Sequence, residues 1–184
     1  MIPLFNKKVM YKEHPKVGVY GFYIFNEKLV NFFASFGVYI GSKRNVEIPK
    51  IIFKSEEFKK RFLRGLFDTD GSLYFDRNNG CKKPVNKVLG IKLGAVSEKL
   101  CFQVFSLLKE FGLHPVIKKP YKGKRNKNPV HCVLIYRKGD IKWYIQNIGF
   151  KNPKHYTRWQ VFQKLGYCPP RTTIKRRKEI LGQQ

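Results

Sequence analysis

One pattern recurs three times along the chain and constrains its fold more than any other feature. Each copy has a stretch of alternating apolar residues, then a polar cap, a short amphipathic run and a glycine. The alternating stretches are 17–25, 85–96 and 132–138, and the copies end at glycines 37, 112 and 149. Alternation with period two predicts a half-buried strand, and the amphipathic run predicts a helix packed on it. The chain is therefore predicted to be an α+β protein.

The ends of these helices carry local signals. Asn26 and Ser97 are good N-caps for the first two copies, and Gly37 and Gly112 are suited to the position after the last turn. In the third copy, Gly139-Asp140 occupies the place of the cap. Further strands are predicted at 72–77 and 114–121, with a turn at 78–80 after the first of them.

The second strand predicts how the sheet is used. Its odd positions are mostly apolar and its even positions mostly polar or glycine, so one face is expected under helices and the other is expected to be polar and basic. The apolar set is Val85, Leu89, Ile91, Leu93 and Ala95, and the opposite set is Asn86, Gly90, Lys92 and Gly94.

Positive charge dominates the composition. The chain has 38 Lys and Arg against 12 Asp and Glu, a formal net charge of +26. Such an excess repels itself in a compact fold, which indicates a polyanionic partner, and nucleic acid explains it best through phosphate contacts. An anionic membrane is the weaker interpretation because no long apolar run is available to span or anchor. Some basic folds are simply soluble, so charge alone does not name a function.

Two segments concentrate this charge. A basic loop between predicted strands is interpreted as a contact for DNA phosphates, with a solvated loop as the alternative; its cations are Lys118, Lys119, Lys122, Lys124, Arg125 and Lys127. After Pro169-Pro170, Thr172-Thr173 precede a basic run at 174–181 that reads as a capped helix. That helix either binds DNA or is solvated, and the sequence does not choose.

The compartment is predicted to be intracellular, in the cytoplasm. The chain's four cysteines, Cys81, Cys101, Cys132 and Cys168, are widely spaced and form no CxxC pair, which is typical of buried thiols in a reducing environment. Lys7 and Lys8 interrupt the apolar start of the chain, so no secretory signal is indicated.

A helix from Ser55 to about residue 69 stands apart from the repeated units. Its apolar residues cover roughly half its circumference, more than the ~100° stripe that one core requires. Gly65 costs about 1 kcal/mol against Ala in mid-helix and allows close backbone approach. It shares one side of the helix with Phe58, Phe62 and Thr69, here called the glycine seam. A second helix packed along this seam is the natural inference; a tight contact inside one domain is the alternative.

The end of this helix carries two carboxylates. Asp68 and Asp70 lie in the last turn, where the unpaired carbonyls and the negative end of the dipole disfavour acids. Local rules fail most often at functional sites, and a bound cation would offset the repulsion. If the helix continues, Asp68 points toward Arg64 and Asp70 lies at the mouth between packed helices. Asp70 is therefore the predicted metal ligand; turn formation before Gly71 is the alternative for both.

The nine residues Leu63-Arg64-Gly65-Leu66-Phe67-Asp68-Thr69-Asp70-Gly71 resemble the LAGLIDADG motif, departing mainly at Arg64, Phe67 and Thr69. The flanks, Ile48-Pro49 and the run 148–154, also resemble archaeal and intein-type members of that homing endonuclease family. The resemblance extends over about residues 17–160. It implies an αββαββα fold whose saddle-shaped antiparallel sheet lies on the DNA major groove, with motif helices packed at a two-fold axis.

The resemblance also implies a reaction. It predicts a sequence-specific double-strand DNA endonuclease of the homing type that leaves short 3′ overhangs. Asp70, assisted by the carbonyl of Thr69, would bind Mg²⁺ or Mn²⁺, and a basic residue near the end of the last strand would assist. Arg137 and Lys138 are both candidates for that role, and phosphate contact is an equally good interpretation of each. Asn86 and Lys92 are the candidates for reading bases.

A single motif in the chain predicts a homodimer on a near-palindromic site. Residues 17–40, however, resemble the closing unit of a preceding repeat, which leaves descent from a two-motif enzyme open. The predicted division is a strand-helix extension at 1–50, a core domain at 51–154 and a basic helical tail at 155–184. Two other functions stay open: a non-cleaving splicing maturase or DNA-binding regulator, and a structural RNA-binding protein. No membrane partner is expected.

Overall fold

The computed structural model of the chain describes residues 10–14, 19–23, 26–77, 86–122 and 128–183, and only the backbone of 10–14, 19–23, 77, 86 and 87. The chain divides into two compact units, Met1–Val38 and Tyr39–Gln184. The predicted turn at 78–80 and residues Cys81 and Val85 fall outside the described residues.

The first unit holds the first copy of the repeated pattern. Strand β1 (Met10–His14) pairs antiparallel with β2 (Val19–Tyr23), and helix α1 (Glu27–Ser35) follows. The side chain of Asn26 accepts from the Leu29 amide at 3.0 Å, so this predicted cap is confirmed. Gly37 has a φ of 82°, the left-handed conformation that ends many helices.

The second unit contains an αββαββα succession followed by two more helices, so the predicted fold class is confirmed. Two short 3-10 helices, Lys43–Asn45 and Lys50–Lys54, precede it. The elements are α2 (Glu56–Thr69), β3 (Gly71–Arg77), β4 (Asn86–Ala95), α3 (Glu98–Glu110), β5 (Val116–Tyr121), β6 (Val130–Ile135), α4 (Lys138–Asn147), α5 (Pro153–Leu165) and α6 (Ile174–Leu181).

Among the described residues, the sheet of this unit has four antiparallel strands in the order β3-β4-β6-β5. Gly71 is level with Leu93, which is level with Val133 on the next strand. One face packs against α2, α3 and α4 to form the core. Its most deeply buried residues are Leu73, Ile91, Leu93, Val133 and Ile135, each 0% exposed. The opposite face, here called the polar face, carries Ser72, Tyr74, Asp76, Val88, Lys92 and Lys118.

In the third copy of the pattern, the end of the strand differs from the predicted one. The strand stops at Ile135 instead of continuing to 138, because Arg137 has already become the N-cap of α4. Asp140 is not the cap. Its carboxylate accepts from the His114 amide at 2.9 Å and so fastens α4 to the start of β5. The sequence could not distinguish these roles, since both place an acid in the first turn of a helix.

Helix α5 was predicted only as part of a helical tail from residue 155, and it protects the free edge of the sheet. On edge strand β3, the Leu73 amide donates to His155 Nδ1 at 3.2 Å, and Arg158 Nη1 donates to the Leu73 carbonyl at 3.0 Å. These contacts satisfy backbone groups that would otherwise be open to another strand. Because α5 begins at Pro153, the boundary predicted between 154 and 155 falls inside a helix.

His155 makes the stability of this edge depend on pH. The side chain is fully buried, and burial, followed by the charge of Lys154, lowers its pKa from 6.5 to about 4. The unfolded chain therefore takes up the proton first, and stability is lost as the pH falls from 6.5 toward 4. We expect this residue to contribute a loss of about 2 kcal/mol in unfolding free energy between pH 7 and pH 5.

Denaturant unfolding at both pH values checks this expectation. His155→Asn is the matched variant, since its side-chain oxygen can accept from the Leu73 amide and does not titrate. Its loss between pH 7 and pH 5 should be smaller than that of the unmodified chain. Equal losses in the two proteins would show that His155 does not titrate as described.

The prediction of buried thiols is confirmed for the described cysteines. Cys101, Cys132 and Cys168 are buried and free. Burial raises the pKa of the Cys101 thiol to about 11, which keeps it protonated and unreactive. None of the helices in the described ranges has the length and apolar character needed to cross a membrane.

Candidate metal and nucleic-acid site

Helix α2 positions the predicted metal ligand. Its first turn is fixed by Ser55, whose hydroxyl accepts from the Phe58 amide at 3.1 Å, as predicted. Leu63 and Phe67 are 0% exposed and anchor the helix on the core. The last helical hydrogen bond runs from the Asp70 amide to the Leu66 carbonyl at 3.0 Å, so Asp70 is the C-cap. The helix thus holds Asp70 at its end through buried residues one and two turns earlier.

Asp68 is committed to the fold. Its two carboxylate oxygens accept from the amides of Lys151 and Asn152 at 2.9 and 3.2 Å. The Asn152 side chain returns a hydrogen bond to the Asp68 carbonyl at 2.8 Å. Arg64, one turn earlier, donates to the Ile148 carbonyl at 2.5 Å. Asp68 and Arg64 therefore tie α2 to the connection between α4 and α5.

The Asp70 carboxylate, unlike that of Asp68, takes no part in holding the described part of the fold together. Asp70 is exposed, and among the described residues its carboxylate has no hydrogen-bond or ion-pair partner. The neighbouring Thr69 hydroxyl donates to the carbonyls of Gly65 and Leu66, both at 3.1 Å. The Thr69 carbonyl belongs to the last turn of α2, where carbonyls have no partner within the helix. Carboxylate and carbonyl oxygens are the ligands that Mg²⁺ prefers. The donor set at this point therefore fits a hard divalent cation.

The glycine seam lies on the outside of the second unit. Phe58 is 44% exposed, and Gly65 and Thr69 are also exposed, whereas Phe62 is partly buried against the core. A Cβ added at Gly65 would meet no heavy atom within 4 Å in the described part of the chain. This openness speaks against the alternative of a tight contact inside one domain, because none of the described residues of this unit approaches the glycine.

The polar face of the sheet adjoins this end of α2. Lys92 lies on it, with its ammonium 5.1 Å from the centre of the Tyr121 ring. Tyr74 covers Gly90, where an added Cβ would be 2.3 Å from the Tyr74 ring, so a side chain at this position would displace Tyr74. The backbone of Asn86 begins β4, where the register of its pairing with β3 shifts. Both residues predicted to read bases thus belong to strand β4.

The predicted basic residues lie in different places. Lys118 and Lys119 are exposed in β5, and Lys122 is exposed just after it; Lys124, Arg125 and Lys127 fall outside the described residues.

Strand β6 begins at the end of the sheet where β3 begins and runs away from that end. Arg137 and Lys138 follow β6 and are exposed, so the topology does not bring them to Asp70.

Lys151 is a cation that the sequence reasoning did not single out. Its backbone amide lies 2.9 Å from Asp68, two residues before Asp70, and its side chain is exposed. The signal that could have found it was the flank 148–154, which resembled the family but was assigned no role. Over the ranges that the structure describes, no cluster of three or more His, Cys, Asp or Glu side chains is placed to hold a metal.

Comparison with known proteins agrees with this geometry. The model of the LAGLIDADG-like domain family matches residues 57–149, just over half of the chain. A 145-residue alignment with the ATP-dependent DNA helicase Hel308 of Methanocaldococcus jannaschii is 26% identical; it covers 71% of this chain and 10% of that protein. The chain thus spans about a tenth of that relative's length. The chain belongs to the LAGLIDADG family, whose members bind DNA and are commonly nucleases.

Proposed function

We propose that this protein is a sequence-specific double-strand DNA endonuclease of the homing type that requires Mg²⁺ or Mn²⁺ and leaves short 3′ overhangs. The observation that carries the proposal is the contrast at the end of α2. The Asp68 carboxylate accepts hydrogen bonds from two backbone amides, whereas the carboxylate of Asp70 is exposed and has no partner among the described residues.

Asp70 and the carbonyl of Thr69 would hold the divalent ion, which when bound polarises the scissile phosphate and lowers the pKa of a water molecule. The rigid anchoring of α2 by Leu63 and Phe67 fixes Asp70 in place, so little reorganisation is needed when DNA arrives. Lys92 and the exposed lysines of β5 would engage the major groove and its phosphates. Lys151, beside the end of α2, is better placed than Arg137 or Lys138 to steady the phosphate.

Dimerisation is part of the proposal because each chain offers one motif helix. The glycine seam is exposed and open at Gly65, which suits close approach of an identical helix across a two-fold axis. Two copies of Asp70 would then lie near one another, one for each DNA strand. The partial match of residues 17–40 to a preceding repeat leaves a different arrangement of two units in one longer chain as the competing proposal.

Selection of cleaved sites from a random duplex library in Mg²⁺ tests this function. We expect recovery of one consensus with near-palindromic halves, which would report activity, target and symmetry together. A non-cleaving nucleic-acid-binding member of the family is the second candidate. Stable binding of one duplex or one folded RNA, with no strand cut in either Mg²⁺ or Mn²⁺, would support that candidate and overturn the nuclease.

A further inference from the structure

A cavity of about 230 Å³ opens between the edge of strand β3 and the turn 169–172 that connects α5 to α6. Tyr74 lines it from the strand, Arg158 from α5, and Arg171 and Thr172 from the turn. The volume exceeds that of a single water molecule. Neither the catalytic proposal nor the motif helix uses this cavity.

Arg158, which lines the cavity, influences the buried Arg177 electrostatically. Arg177 is 3% exposed and donates to the Thr157 hydroxyl and the Thr172 carbonyl, both at 2.8 Å. Arg158 donates to the Leu73 carbonyl. No carboxylate among the described residues forms an ion pair with either arginine. Burial and the nearby Arg158 charge both lower the pKa of Arg177, as expected for cations that lack a counter-ion. An anion would relieve this imbalance.

The turn at the mouth of the cavity holds a third arginine in an unusual conformation. Arg171 has a φ of 55°, in the left-handed region that glycine adopts more easily. Its neighbours are fixed: the Thr172 hydroxyl donates to the Pro169 carbonyl at 3.2 Å, and Arg177 holds the Thr172 carbonyl. Arginine is less favourable than glycine in this conformation, and its exposed side chain lines the mouth of the cavity.

Tyr74 connects the cavity to the polar face of the sheet, because the same side chain lines the cavity and covers Gly90 on that face. Whatever duplex lies on the polar face therefore passes beside the cavity. We propose that Arg158 and Arg171 bind one phosphate of the DNA backbone at the outer edge of β3. The proposal rests on the proposed function and adds a site beyond the sheet and the metal ligand.

Duplex binding measured across a range of salt concentrations tests the site. The duplex is the one selected by the protein, and Ca²⁺ replaces Mg²⁺ to prevent cleavage. Arg171→Gln should weaken binding about tenfold and make the salt dependence shallower by about one ion. Arg176→Gln is the matched control, since Arg176 lies in the same region but is paired with Glu179 at 2.9 Å. If both variants lose the same affinity and slope, general positive charge accounts for the effect and the site is overturned.

Arg171→Gly separates a binding role from a structural one. We expect its Tm to rise, because glycine relaxes the backbone, while its affinity for the duplex falls as in Arg171→Gln. A lower Tm together with unchanged affinity would make Arg171 a structural residue and overturn the proposal. Failure of the unmodified chain to bind any duplex would instead overturn the proposed function, and the phosphate site with it.

Discussion

We expect Asp70→Asn to lower the cleavage rate by about 10³-fold and to leave DNA binding intact. In the proposed function the exposed carboxylate is the charged oxygen ligand of the divalent ion, and an amide would hold such an ion poorly. Because the acid lies at the negative end of the α2 dipole, its removal should also stabilise the metal-free protein by about 0.5 kcal/mol. Single-turnover cleavage, duplex binding in Ca²⁺ and thermal unfolding in EDTA measure the three effects.

Asp68→Asn is the matched control, with the same change of charge two residues away. Asparagine would turn one acceptor into a donor facing the amide of Lys151 or Asn152, so we expect a loss of about 2 kcal/mol in unfolding free energy. Cleavage by the folded fraction should survive. If Asp68→Asn removes cleavage without loss of stability and Asp70→Asn does not, the roles assigned to the two acids are reversed.

We expect Gly65→Leu to prevent the proposed dimerisation and to lower cleavage by about 100-fold. A second helix packed against the glycine seam would meet the new side chain in both copies, at a combined cost of about 3 kcal/mol. In the single chain the same change is harmless, since the space around Gly65 is open, and better helix propensity should add about 0.8 kcal/mol to stability. Sedimentation should therefore show loss of the dimer and the cleavage rate should fall, while thermal unfolding should show a more stable single chain.

Gly139→Leu controls for the chemistry of this substitution. Gly139 also lies in a helix with no heavy atom within 4 Å of an added Cβ in the described residues, but on α4. We expect Gly139→Leu to dimerise and cleave normally. Normal association and cleavage by Gly65→Leu would remove the glycine seam from the proposed interface.

Local signals explain what the sequence predicted well. Ser55, Asn26 and Ser97 each accept from an amide three residues later, and a cap of this kind is written in a few adjacent residues. The alternation along β4 likewise placed Ile91 and Leu93 in the core. The exceptional position of Asp70 was visible because it broke a local electrostatic rule.

Long-range contacts explain what the sequence missed. His155 meets Leu73 across 82 residues of chain, and no local pattern pairs them. In the sequence, Arg177 looks like one of several exposed basic residues of the tail. In the structure it is buried, and its guanidinium donates hydrogen bonds to Thr157 and Thr172. The signals for the start of α5 were present, namely the cap Asn152 and Pro153 in the first turn. The run 148–154 was used only for the family resemblance, so these signals were not interpreted as a helix start.

The most direct measurement mixes unmodified chains with Asp70→Asn chains and follows both strands of the selected duplex in Mg²⁺. If each subunit brings one carboxylate to one strand, mixed dimers will nick a single strand and leave the other whole. Double-strand breaks in proportion to the unmodified chain alone, with no nicked product at any mixing ratio, would contradict the account.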